Sequence, residues 1–362
     1  MTPRKVARNS NIELLRVIAM LMIVALHYFN QGGILDAAVY GEPNYAVAWL
    51  TESFCYVSVN IYVLISGWML SVSTSPVKPG KVVRLVLQVV FYSVGIYGIC
   101  CLLGVCPFNI KTLITGYLFP LIHGEYWFAA VYVVLYVLSP FLNKAIAALS
   151  RKEQQWLLMI LGVVFSAIPT VFFFAGNSVG VNGGYSLVWF VFLYLLAGYL
   201  RKYEVRFSQR WLLPIFFGAC LVPFGIKIAQ QALIGKELFD WYSYTSLPVL
   251  IGSVALFMFF IQLPPKQNRL WTTLGSTTFG VFLIHTQYLM RNTLLWNQWV
   301  QPLKHYYMES GTFLLHLLLS VPLIFIGCSV IDWVREKLFS LIAAWCRPLT
   351  EKMSSRFQNP LS

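Results

Sequence analysis

Residues 11–30 read NIELLRVIAMLMIVALHYFN. The stretch is apolar for almost its whole length, and about 20 such residues are what a helix needs to cross a bilayer. It nevertheless carries Glu13, Arg16 and His27, and ionisable side chains inside a membrane are costly and by default mark function. Arg16 and His27 stand eleven positions apart, which is about 16 Å along a helix axis. Eleven steps of roughly 100° also bring them to one face. Alone, Arg16 reads equally well as a snorkelling interface anchor, and His27 as a histidine at the outer interface or in a satisfied helix contact. Sharing one face weakens both of those readings. Glu13, one turn before Arg16, is a natural partner for it.

The rest of the chain has the same character. Its 362 residues are 58% hydrophobic and only 11% charged, more apolar surface than a soluble core of this length uses. The expectation is an all-α polytopic membrane protein with ten spans, near 12–29, 47–70, 82–105, 126–142, 155–175, 186–200, 211–229, 245–262, 274–290 and 311–331. The Pro-flanked segment 107–122 is too short for an easy crossing and reads as re-entrant or interfacial, tolerable only where protein covers its backbone. Residues 332–362 read as a basic, partly amphipathic cytoplasmic tail. No repeat or separate soluble domain is visible, so 1–362 reads as one membrane domain.

Charge orients this layout. With both termini cytoplasmic, twenty of the 26 Lys and Arg fall in inner segments, five in outer ones, and Arg16 within the first span. That split is the positive-inside pattern, and it accounts for the net charge of +13 without nucleic acid. The expected location is an inner or plasma membrane. The basic start before the first apolar run mimics a signal peptide, but the run is long and lacks a small-residue cleavage pattern, so it reads as a retained span. The seven cysteines (55, 100, 101, 106, 220, 328 and 346) show no metal-ligand spacing and read as small buried hydrophobes. No metal is expected.

The remaining ionisable residues sort by depth. Lys78, Lys81 and Arg84 recur every three residues at the inner mouth of the third span. Lys78 reads as a topology signal, whereas Lys81 and Arg84 share a face from which phosphates could be held, together with Arg16. The outer half holds His285 within the ninth span, His123, Glu125 and Trp127 in HGEYW at the entry to the fourth, and Asp240 at the start of the eighth. His285 reads equally as a neutral core histidine, and the others as solvated caps. His316 has the weakest functional case. Phosphate-binding cations inside, with His and carboxylates outside, suit group transfer across the membrane from a phosphorylated carrier with a long thin arm, such as coenzyme A.

Several stretches in order resemble the acyltransferase 3 family of membrane-bound acyltransferases. They are Arg16 and His27 in the first span, ISGWML (65–70), KVVR (81–84), EYWFAAVYVVLYVLSPFL (125–142) and GSTTFGVFLIH (275–285). The resemblance covers essentially the whole chain and is nearest to stand-alone members that O-acetylate enterobacterial common antigen and exopolysaccharides. It implies transfer of an acyl group, usually acetyl from acetyl-CoA, to a hydroxyl of a surface or lipid-linked glycan. It also implies His27 as the catalytic histidine, Arg16 as its paired arginine, Lys81 and Arg84 as the donor's basic motif, and His285 as the second motif histidine. The chain departs from many members in reading NIELLR where they carry Asp before Leu-Arg, and it carries no fused hydrolase-like domain. His27 would serve as general base or acyl relay, with His123, Glu125, Trp127 and Asp240 toward the acceptor. The rival readings are a transporter or flippase for an anionic glycolipid, and a ligand-sensing membrane domain.

Overall fold

A computed structural model describes residues 9–73, 75–122, 124–172 and 179–358, the part from 342 onward as backbone only. Eleven principal helices carry the chain among these residues. They are α1 (Ser10–Asn30), α2 (Tyr45–Cys55), α3 (Ser58–Leu70), α4 (Pro79–Leu102), α5 (Trp127–Ala148) and α6 (Arg151–Val171). There follow α7 (Leu187–Lys202), α8 (Gln209–Ile234), α9 (Leu247–Ile261), α10 (Arg269–His285) and α11 (Ser310–Gln358).

Seven stretches are long and apolar enough to cross a membrane: α1, Tyr45–Leu70 (α2 with α3), α4, α5, α6, α8 and Ser310–Leu341 of α11. The protein is an all-α, multi-pass membrane protein. The other three expected spans fall on α7, α9 and α10, which have 16, 15 and 17 residues. At 1.5 Å per residue each is about 23–26 Å long, short of the roughly 30 Å hydrocarbon core.

Local chemistry sets several of the boundaries. Asn9 caps α1 by accepting the Asn11 N–H at 3.1 Å, the arrangement favoured before a helix. Within α6 the turn Val163–Ala167 widens to a π-helix just ahead of Pro169, whose missing N–H removes a rung of the ladder. The segment 107–122 does not cross. It folds as a short helix Ile110–Thr112 running into a π turn Leu113–Tyr117, with Tyr117 stacked on Tyr97 of α4 at 4.3 Å. Phe108, Ile110, Phe119 and Ile122 stay exposed, which suits an interfacial piece more than a covered re-entrant one.

α1 is the core helix, packed by α2, α3, α9, α10 and α11. Its register against α10 matters most. Their first turns are tied together: Ser10 N–H donates to the Lys266 carbonyl at 2.9 Å, Asn268 N–H donates to Ser10 Oγ at 2.5 Å, and Asn11 Nδ2 donates to the Pro264 carbonyl at 2.9 Å. Both helices therefore climb from one level in one direction.

The last span does not stop at 331. α11 runs unbroken to Gln358, and Asp332 and Arg335, expected at the start of the tail, are 1% and 8% exposed. Their charges are tolerated at that depth because they neutralise each other. Arg335 Nε donates to Asp332 Oδ1 at 2.7 Å, and the Tyr92 hydroxyl donates to the same oxygen at 2.7 Å. Of the cysteines, 55, 100, 220 and 328 are buried as expected, while Cys101 and Cys106 are only half-buried, their Sγ atoms 3.5 Å apart. The side chain of Cys346 lies outside the described residues.

Candidate active site

His27 lies seventeen positions beyond Ser10, and His285 sixteen beyond Arg269. From a common floor both climb about 25 Å and so arrive at one level. His285 is the last residue of α10 rather than a mid-span one. The rings meet with His27 Nδ1 2.8 Å from His285 Nε2, and His285 Nδ1 lies 2.6 Å from the Val281 carbonyl.

This chain of contacts fixes the tautomers. The carbonyl oxygen can only accept, so His285 Nδ1 carries hydrogen. With both rings neutral, His285 Nε2 is then an acceptor and His27 Nδ1–H donates to it. The lone pair of His27 is left on Nε2, the atom a general base needs. His285 is fully buried and His27 only half-buried.

His27 faces a cavity of about 720 Å³. One end is basic: Lys81 and Arg84 from the first turns of α4, joined by Arg335 and Glu336 of α11. Along α1 the lining runs from Arg16 through Met20 and Ile23 to His27 and Gln31, and Tyr62 and Arg291 belong to it as well. The lining thus covers the whole distance from the basic cluster past both ionisable residues of α1. Lys78 caps α4 and does not line the cavity.

Arg16 is held from below. Its Nη1 donates to both carboxylate oxygens of Glu13 at 3.1 Å. Glu13 itself fits because Gly275 of α10 has no side chain: a Cβ there would collide with the Glu13 carboxylate. Gly280 plays the same part toward Asp332. The two glycines of GSTTFG therefore make room for two carboxylates, and each carboxylate holds an arginine of the cavity wall.

The outer lobe is aromatic. Trp127, Tyr185, Tyr244 and Tyr56 line it, with Glu52 beside them. Of the expected outer residues that the structure describes, only Trp127 is among the lining. Glu125 is near by: burial pushes its carboxyl above the ordinary range while the charge of Arg291 opposes the shift. Asp240 is not among the lining residues. It accepts the Tyr242 N–H at 2.9 Å in its own loop, and burial pushes its carboxyl up. His123 lies outside the described residues. His316 stacks on His305 at 3.6 Å and meets the Tyr28 hydroxyl at 2.8 Å, away from the cavity.

Sequence reasoning passed over Arg335, Arg291 and Glu52 as site residues. Arg335 lies beyond the expected end of the tenth span, and Arg291 is one of the five cations of the expected outer segments. Glu52 carries a signal, as a lone carboxylate within an apolar run, but no neighbour along the chain pairs with it. Among the described residues no three His, Cys, Asp or Glu side chains converge as a metal cluster.

A base with a fixed lone pair, in a cavity whose far end is cationic, can deprotonate a hydroxyl while an anionic carrier is held at a distance. No curated protein and no solved structure matches this chain. A family model described as an acyltransferase domain, Acyl_transf_3, matches residues 9–333, nine-tenths of the sequence and every residue of the cavity except Arg335 and Glu336. The chain therefore belongs to the acyltransferase 3 family, whose membership supports an enzymatic role and the use of an acyl-CoA type of donor.

Proposed function

We propose that the protein carries acetyl from cytoplasmic acetyl-CoA across the membrane to a hydroxyl of a surface or lipid-linked polysaccharide. It would do so as one membrane domain of ten spans in an inner or plasma membrane, with both termini cytoplasmic. The observation that carries this reading is one cavity lined by Lys81, Arg84, Arg335 and Arg16 together with His27.

Lys81 and Arg84 are exposed at their end of the cavity and offer the charge-assisted hydrogen bonds that phosphates take. Arg335, aimed by Asp332, joins them. The roughly 16 Å between Arg16 and His27 is a distance of the order an extended pantetheine arm covers, so the thioester can reach His27 while the nucleotide stays at the basic end. Arg16 is then too far from His27 to meet an oxyanion formed there. It serves the donor's arm, and Arg291, a second cation lining the same cavity as His27, is the candidate for the oxyanion.

In the step itself, His27 Nε2 takes the proton from the acceptor hydroxyl as its oxygen bonds to the thioester carbonyl carbon. The carbon–sulfur bond breaks, and the departing thiolate takes the proton back from His27 Nε2 to give free coenzyme A. An acyl group resting briefly on His27 Nε2 is the two-step version of the same transfer.

The test is purified protein in vesicles with acetyl-CoA, following free coenzyme A and the mass of the glycan. Wild type adds one acetyl mass per site and H27A adds none. Full activity of H27A at normal expression would end this reading. Movement of intact glycolipid without coenzyme A release would favour a flippase.

A further inference from the structure

Glu52 has no part in the chemistry derived so far. It is 2% exposed, it lines the cavity, and its Oε2 is buried without a hydrogen-bond partner. Among the described residues no Lys, Arg or His lies within ion-pair distance of it. Burial favours the neutral form of such a group, but an unpaired buried oxygen is still costly, and a ligand that brings hydrogen-bond donors or positive charge removes that cost.

The surrounding rings decide between these two. Trp127 and Tyr185 have centroids 4.5 Å apart, Tyr185 and Tyr244 5.2 Å, and Tyr244 and Tyr56 5.1 Å. Each ring touches the next, so the four form a continuous wall. A site for an ammonium group sets ring faces around the charge, with a gap between them that touching rings do not leave. A wall beside a hydrogen-bonding carboxylate suits a flat ring with one apolar face and hydroxyls at its edge. The wall and the carboxyl group of Glu52 line the same cavity.

We infer that this outer lobe is an acceptor subsite for a neutral sugar ring. Its hydroxyls donate to Glu52, and its C–H face lies on the Trp127–Tyr185–Tyr244–Tyr56 wall. What becomes of the bound sugar rests on the acyl-transfer reading above, but the binding itself does not.

The experiment uses the full chain in detergent and measures direct binding of a panel of methyl glycosides, with choline and cyclohexanol as comparison ligands and coenzyme A as a separate titration. Wild type binds at least one glycoside in preference to both comparison ligands. E52Q, which keeps size but puts an NH2 donor where one carboxyl oxygen accepts, weakens that glycoside by tenfold or more with coenzyme A affinity unchanged. Y185A, at a half-exposed ring on the rim, does the same. R84A shows the opposite pattern, with weakened coenzyme A and unchanged glycoside. Preferential binding of choline, no glycoside binding at all, or glycoside affinity unmoved in both E52Q and Y185A overturns the subsite. Loss of coenzyme A binding by wild type would overturn the donor assignment instead and leave the subsite standing.

Discussion

Replacing His285 separates its role from that of His27. In the structure His285 touches His27 through one hydrogen bond of 2.8 Å, is fully buried, and does not line the cavity. It therefore acts by holding the His27 ring and its tautomer. A hydrogen bond of this kind contributes about 0.5–1.5 kcal/mol net, and 1.4 kcal/mol corresponds to about tenfold in rate. H285L should accordingly lower kcat about two- to tenfold with little change in the KM for acetyl-CoA. General-base catalysis contributes about 10²–10⁴-fold, so H27A should be at least ten times worse than H285L. H285Q places an amide oxygen where it can accept the His27 Nδ1–H, and it should recover most of the lost rate. The assay is acceptor-dependent coenzyme A release by the purified variants, with expression and thermal midpoint checked in parallel. If a well-folded H285L is as inactive as H27A, or if H285Q is no better than H285L, the positioning argument is wrong and His285 takes a direct part in the chemistry.

Other substitutions address the supports. G280A forces a methyl group onto the Asp332 carboxylate, and overpacking of this kind costs about 1–3 kcal/mol, to be read as a lowered thermal midpoint. D332A leaves Arg335 buried and unpaired and should cost about 3–5 kcal/mol, while D332L/R335L, which removes both charges, should recover most of the stability but not coenzyme A affinity. Glu125 has a raised folded-state pKa, so its contribution to stability is complete below the ordinary carboxylate range and is lost as pH rises through the raised value. E125Q should therefore gain thermal stability over wild type as pH rises from about 4 to about 8, and a constant difference across that range would refute the assignment.

Much of this arrangement could be read in the sequence, and what could not had physical reasons. Helical periodicity put Arg16 and His27 on one face, and both line one cavity. The expectation that Lys81 and Arg84 share a face at the start of the third span holds for the same reason, since Pro79 opens α4 and leaves both in its first turns. Asp332 and Arg335 fall in the expected tail because hydropathy ends a span where charges begin, whereas a pair that neutralises itself extends the buried part of the helix. Asp240 reads as a site residue by its position near an outer helix start, yet its carboxylate is engaged with its own loop. The charge census puts Arg291 on the outer side, but the turn that brings it to the cavity is a π-helical one, Met290–Val300, which a 3.6-residue period does not locate.

The segment 275–285 shows how sequence spacing becomes a site. Gly275 admits Glu13, and Glu13 holds Arg16. Gly280 admits Asp332, and Asp332 holds Arg335. His285 holds His27. Three positions five residues apart on α10 thus support three groups of the cavity, at two levels of the donor path and at the base. Two of the three do so by lacking a side chain, so their contribution cannot be seen in any list of polar contacts. α10 itself buries its glycines and its histidine and gives the cavity mainly Ser276, Thr278, Phe279 and Phe282. A substitution at Gly275 should therefore disturb donor binding through Arg16, and one at Gly280 should do so through Arg335. Neither should change the pH dependence of the chemical step, because the His27–His285 contact lies about 7 Å or more further along the same helix. A shifted pH profile in G275A would show that the three supports move as one body, and would overturn the view that each acts on its own neighbour.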